Sequence, residues 1–380
     1  MTLRWNNRRP AFQPFNPSTL QPFNPSSNLG RAARYHLSAP NETSRMPAVL
    51  APSRPAARGL DALRAPVSAD LDHFRRHCRD AMRSQVRLLD TVTQYLLRQK
   101  GKEIRPTLVL LAARMTGGVT EKSYRGAALV ELLHTATLVH DDVVDEAETR
   151  RGLASVNALW RNKVGVLLGD YLLSRGLLLA LDAGDVDLLT TVSTAVRRMS
   201  EGELFQIEKA RTLDIDEEAY FRIISDKTAS LLAACMAIGA MSAGAAPADV
   251  QRATAVGETL GLAFQIRDDL FDYDAQASAG KPVGLDLQER KMTLPLIAAL
   301  DRAPASDRKR IRVIVRKRTK SRAETATVVR FVTEHGGAAY ARARMEALAA
   351  DAAAGLAAFP PSDARDALVG LCAYVVERKR

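Results

Sequence analysis

The chain has 380 residues, a net charge of +11, 47% hydrophobic residues and only 5% aromatics. That length holds one large domain or two small ones, and the Ala- and Leu-rich, aromatic-poor content favours helices over sheets. The longest apolar run, Leu231 to Ala246, is short and carries Gly and Ser, so it reads as a buried helix rather than a membrane span.

Residues 1–66 contain nine Arg against two acids and repeat QPFNPS at 13–18 and 21–26. No helical or strand period is visible there. The segment reads as a disordered or targeting-like extension, with residues 67–380 as the folded domain. A start at Met46 is equally compatible with it. From about Val67 onward apolar residues recur at helical spacing, through Leu88–Leu97, Thr107–Ala113, Leu129–Val139 and Val166–Leu179. Gly117-Gly118, Gly152, Pro247, Gly280 to Pro282, Gly336-Gly337 and Pro360-Pro361 punctuate these helices. No period-two strand run and no Gly-rich phosphate loop stands out. The expected architecture is an all-α bundle with its site between helices.

Charged residues then mark that site. In KGKEIRP, Lys102 and Arg105 flank a turn-to-helix junction, and Pro106 suits a first helical turn, whose free amides favour anions. The next helix carries His134 and, two turns on, Asp141, Asp142 and Asp145 in an Asp-Asp-x-x-Asp pattern. Positions i and i+4 share a helix face, so Asp141 and Asp145 point the same way and repel unless a cation joins them. Arg150 and Arg151 follow and are expected at the helix end. The pattern returns at Asp268, Asp269 and Asp272. Oxygen-only ligands without Cys favour Mg²⁺, with Mn²⁺ as an alternative, and Mg²⁺ commonly bridges carboxylates to phosphates. Two such helices face to face would cage a metal-bound diphosphate, which itself needs Arg and Lys partners. Residues 308–322 include nine Lys or Arg, read as an exposed basic helix rather than a nucleic-acid or membrane patch. Cys78, Cys235 and Cys372 lack metal spacing and fit a reducing, cytoplasmic setting.

Taken in order, KGKEIRP, HTATLVHDDVVD with its trailing RRG, GELFQIEK, SDKTASL, FQIRDDLFDYD, GKPVGLDLQERKMTLPLI and the closing FPPSDARDALVGLCAYVVERKR resemble the trans-polyprenyl diphosphate synthases, long-chain octaprenyl and heptaprenyl types included. The resemblance runs from about Leu71 to the C-terminus. It implies an all-α isoprenoid-synthase bundle with a deep central cavity, a homodimer, and condensation of an allylic prenyl diphosphate with isopentenyl diphosphate. It implies that Asp141, Asp145 and Asp268 lead Mg²⁺ coordination, supported by Asp142, Asp269 and Asp272. Arg150, Lys227, Thr228, Gln265 and Lys281 would hold the allylic diphosphate, with Lys227 among the catalytic groups. Lys102, Arg105, His134 and Arg151 would hold isopentenyl diphosphate, with Lys291 near the same mouth. Lys100 and Arg290 stand where the family often has Gly, which puts the loop conformations in doubt. Small residues at the length-limiting positions Ala136 and Thr137 imply a long product suited to a quinone side chain. The alternatives are a farnesyl or geranylgeranyl diphosphate synthase, a terpene cyclase on the same scaffold, a non-catalytic subunit of a two-component synthase and a nucleic-acid binder. Two intact acidic clusters count against the cyclase and the non-catalytic subunit, and neither nucleic acid nor more than peripheral membrane contact is expected.

Overall fold

The computed structural model describes residues 59–99, 101–213, 215–273 and 284–378. The described chain is almost entirely helical, as its composition predicts. The helices are α1 (Leu60–Arg64), α2 (Ser68–Ala81), α3 (Arg87–Arg98), α4 (Ile104–Thr116), α5 (Glu121–Val144), α6 (Val156–Asp182), α7 (Val186–Thr212), α8 (Glu217–Ile224), α9 (Ser230–Ser242), α10 (Pro247–Phe271), α11 (Leu285–Gln288), α12 (Leu294–Arg302), α13 (Ala305–Arg316), α14 (Arg322–Glu334), α15 (Gly337–Leu356) and α16 (Asp363–Glu377). Their starts follow local chemistry. Thr120 accepts from the Ser123 amide and opens α5 with a capping box, Ser155 caps α6, and Pro247 stands in the first turn of α10.

Helix α9 is the axis of the bundle. It is buried on nearly every side, and α4, α5, α7 and α10 pack around it. Leu231, Leu232, Met236 and Ile238 are each no more than 3% exposed, and such side chains contribute roughly 1.5–3 kcal/mol apiece on burial. The heaviest single packing is α5 on α6, along a seam of glycines. A Cβ built at Gly165 would stand 2.7 Å from Val143 and one at Gly169 would run into the His140 ring, while one at Gly176 would touch Leu132 at an ordinary 3.5 Å. The two long helices therefore approach more closely than side chains would allow. Among the described residues, two helical stretches, Val156–Asp182 and Glu217–Ser242, are long and apolar enough to cross a membrane. The second lies 78% inside the fold, which is what a core helix requires.

Three sequence expectations change. Leu60–Arg64 and Ala65–Val67 are helical with Leu63 and Val67 buried, so the folded body starts before residue 67; residues 1–58 lie outside the described residues. Arg150 does not end a helix. Thr149–Arg150 pairs antiparallel with Leu153–Ala154, and Arg151 (φ 51°) and Gly152 (φ 79°) form the two-residue turn between them. The basic run is more broken than one helix: α13 ends at Arg316, with Ile311 and Val315 buried beneath its exposed cations.

Candidate active site

Helix α5 brings its acidic end to the rim of the bundle. Asp141 and Asp145 are exposed and Asp142 is buried. Partial desolvation at the rim, then Asp145 and Glu203, push the Asp141 carboxyl upward, while Lys227 and Arg150 pull it down. Asp142 is held by Arg150, whose Nε and Nη2 donate at 2.7 and 2.6 Å. Arg150, expected on the allylic diphosphate, is thus paired within the protein. The hairpin described above sets it there.

Helix α10 forms the opposing wall. Asp268 is ion-paired with Arg378, whose guanidinium lies 4.0 Å over the Phe264 ring. Burial pushes the Asp268 carboxyl up, against the pull of Arg378, Lys102 and Arg267. Asp269 is buried, accepting from Tyr220 Oη at 2.6 Å and Gln265 Nε2 at 2.8 Å. Burial first, then Asp286, raise it to about 7. Asp272 does not simply share the Asp268 face. Its carboxylate accepts the backbone amides of Gly284, Leu285 and Asp286 at 3.2, 3.0 and 2.9 Å and so anchors the start of α11.

Between the walls, Ser225–Ala229 forms a π-helical turn, a form frequent at functional sites. It projects Lys227, which pairs with Glu203 and donates to Gln206 Oε1 at 3.0 Å. The next residue, Thr228, donates to Gln265 Oε1 at 2.8 Å, so Thr228, Gln265, Asp269 and Tyr220 form one chain of hydrogen bonds. The charge of Lys227 lowers both Asp141 on the α5 side and Asp286 beside α10. One cation therefore faces both acidic walls. Gly202 makes this possible: a Cβ there would stand 2.9 Å from Asp226 Cβ and from the Lys227 amide nitrogen, so α7 can lie against the π-turn only as glycine.

A basic group stands two turns back along α5 from Asp141. His134 is buried, with its Nδ1 unpartnered, and Arg105 Nε is likewise buried and unpartnered. Burial, then the guanidinium groups of Arg105, Arg151 and Arg150, hold His134 well below its ordinary pKa, so it is neutral. Lys102 is exposed and its charge reaches Asp268. Arg151 donates to the Gln99 carbonyl at 3.3 Å. The structure thus brings Arg105, His134 and Arg151 together beside Lys102. Lys281 lies outside the described residues, as does Lys100.

Several members of this site were not foreseen. Glu131 is pushed up by burial and held down by Arg105 and Arg151. Asp286, raised to about 6 by burial and then Asp272, joins the α10 cluster, and the expected Lys291 pairs with Glu289 beside it. The signal for Asp286 was present in GLDLQERK as an acid amid apolar residues; Tyr220 and Arg378 carry no local signal. A cavity of about 570 Å³ lies against α5, walled by Leu132, Thr135, Leu138 and Val139, with Glu131, Asp142, Arg150 and Arg151 at its edge. Ala136 and Thr137 do not line it. Ala136 is buried one turn from both Leu132 and His140, which face the α6 glycines, so its small size also serves that seam.

Residues 86–332 match the family model "Polyprenyl synthetase". The chain is 37% identical over 302 residues to octaprenyl diphosphate synthase of Escherichia coli, covering 79% of this chain and 93% of that one. Among solved structures, a decaprenyl diphosphate synthase from Rhodobacter capsulatus superposes with a TM-score of 0.80 at 36% identity, over 84% of this chain and 99% of that one. A polyprenyl synthase from Caulobacter crescentus CB15, complexed with calcium and isoprenyl diphosphate, gives a TM-score of 0.79 at 33% identity, over 85% and 99%. Fold, motif order and these likenesses together make the chain a member of the polyprenyl synthetase family, an α-helical prenyltransferase of isoprenoid biosynthesis.

Proposed function

We propose that the protein condenses an allylic prenyl diphosphate with isopentenyl diphosphate in a Mg²⁺-dependent reaction, repeating the step to a long all-trans product, and that it works as a homodimer. The observation that carries this reading is the placement of Lys227, whose charge acts on Asp141 and on Asp286 at once. Two acidic walls that share one space require a cation so placed.

The donor set fits a hard divalent cation. Asp141 and Asp145 offer exposed carboxylates, Asp268 becomes available when Arg378 withdraws, and no Cys stands among them. Asp142, Asp269 and Asp272 support these ligands from behind. Mg²⁺ there would stabilise the negative charge that develops on a departing diphosphate. Lys227 and Thr228 bind and orient the allylic diphosphate from the π-turn, together with Gln265 and with Lys281, which lies outside the described residues. Arg150 joins them by exchanging Asp142 for phosphate. Nε of Arg105 is a buried, unpartnered donor prepared for a second anion, and with the His134 ring, whose Nδ1 is also unpartnered, Lys102 and Arg151 it holds isopentenyl diphosphate. Lys291 stands at the mouth. The C–O bond of the allylic substrate breaks toward the cationic groups, the double bond of isopentenyl diphosphate attacks the resulting allylic cation, and the released diphosphate takes the proton. An apolar surround would keep water from the cation. A long product is supported by the octaprenyl and decaprenyl relatives and by the small Ala136 and Thr137.

The test is to incubate purified protein with Mg²⁺, isopentenyl diphosphate and farnesyl diphosphate and to size the extracted product. Chains of about eight to ten isoprene units are expected; arrest at fifteen or twenty carbons rejects the long-chain reading, and no Mg²⁺-dependent consumption rejects the reaction.

A further inference from the structure

Among the described residues, one group other than the catalytic carboxylates has metal-ligand chemistry: His73, His77 and Glu121, whose donor atoms all lie within 4.8 Å of one another. We propose that these three side chains bind a borderline divalent cation of the Zn²⁺ class, and that the bound ion clamps α2 to the first turn of α5.

The geometry begins with spacing. His73 and His77 are i and i+4 on α2, so their rings rise from one face a turn apart, and they stack with centroids 5.4 Å apart. Glu121 is the first residue of α5, held in place by the Thr120 capping box, and its Oε2 lies 3.4 Å from His77 Nε2. Two imidazoles and one carboxylate suit Zn²⁺ with a water in the fourth position, and do not suit Mg²⁺, which takes oxygen ligands. Zn–N and Zn–O bonds of about 2.0–2.1 Å set tetrahedral ligands roughly 3.4 Å apart. Closing from the present spacing to that one falls to Glu121, which is exposed, and His77, which is partly exposed.

The surroundings restrict the His73 ring. Tyr124 stacks on it at 4.4 Å, with 11° between the planes, and its hydroxyl donates back to Asp70 on α2 at 2.7 Å. The position argues for a structural ion. Glu121 and Asp141 stand near opposite ends of α5, about 30 Å apart at 1.5 Å per residue. Helix α2 also carries Arg75, which forks Glu103 at 3.0 and 2.6 Å beside Lys102. An ion that fixes α2 therefore steadies the loop before α4.

Calorimetric titration of the full-length protein with Zn²⁺, in excess Mg²⁺ to occupy the aspartates, tests this. Wild type is expected to take up one equivalent and to gain several degrees in Tm. His77→Ala and, separately, Glu121→Gln should weaken that binding at least tenfold and remove the Tm gain while keeping the wild-type helical spectrum and Mg²⁺-supported turnover. A Zn²⁺ isotherm unchanged by either substitution places the ion elsewhere and overturns the proposal, as does absence of a saturable Zn²⁺ event in wild type.

Discussion

Asp269 shows how much a single carboxyl depends on its setting. Burial lifts it to about 7, with Tyr220 and Gln265 working in the opposite direction. A carboxyl that holds its proton more tightly folded than unfolded makes the native state less stable as pH rises from the ordinary carboxylate range, about 4, to about 7. A cation beside it reverses that balance by favouring the ionised form. Mg²⁺ binding should therefore release protons below pH about 7 and weaken as pH falls, which calorimetry in buffers of different ionisation enthalpy reads directly. Tyr220→Phe removes a hydrogen bond that lowers Asp269, so the acid limb of the rate–pH profile should move to higher pH. An unmoved limb would separate Asp269 from turnover. At this scale the sequence was informative about which residues matter and poor about what they touch. The i, i+4 spacing placed Asp268 and Asp272 on one face, yet no spacing rule could foresee that the chain returns at Gly284 to Asp286 with three amides for Asp272. Arg378 meets Asp268 only because α16 folds back on α10.

Among elements, the π-turn and the helix seams set the site. Gly202→Ala should cost about 1–3 kcal/mol by overpacking and displace Lys227, raising KM for the allylic substrate more than it lowers kcat. Equal loss in the two constants would argue against a positioning role for the turn. The doubt over loop conformation at Arg290 has a structural counterpart: Arg290 adopts φ 60°, the left-handed region, and Arg290→Gly should raise stability by about 0.5–1 kcal/mol in thermal unfolding. Thr137 precedes Asp141 by one turn on the same face, so Thr137→Phe should shorten the product. Ala136→Phe should also shorten it, and in addition lower Tm by prising α5 from α6. Unchanged product length in both variants would move the floor elsewhere. Helix periodicity was legible because packing repeats it. The hairpin at Thr149–Ala154 was not, because two-residue strands carry no period, and the helices at 60–67 were hidden because Leu60, Leu63 and Val67 make a stripe of only two turns broken by Pro66.

For the molecule as a whole, α6 leaves Leu167, Leu178 and Leu181 exposed on one face, at 57%, 40% and 57%, and α7 leaves Leu204 exposed at 67%. An apolar face of this kind on helices that also frame the site is what a homodimer would cover. Light scattering should give twice the mass of the 41.4 kDa chain, and Leu178→Asp with Leu181→Asp should halve it. The central claim, that α5 and α10 share one metal–diphosphate site, is tested most directly by counting Mn²⁺ bound in the presence and absence of an unreactive allylic diphosphate analogue, in wild type, Asp141→Ala and Asp268→Ala. Wild type is expected to bind Mn²⁺ tightly only with the analogue present, and each substitution alone is expected to diminish that binding. Full analogue-dependent binding in either variant would contradict it.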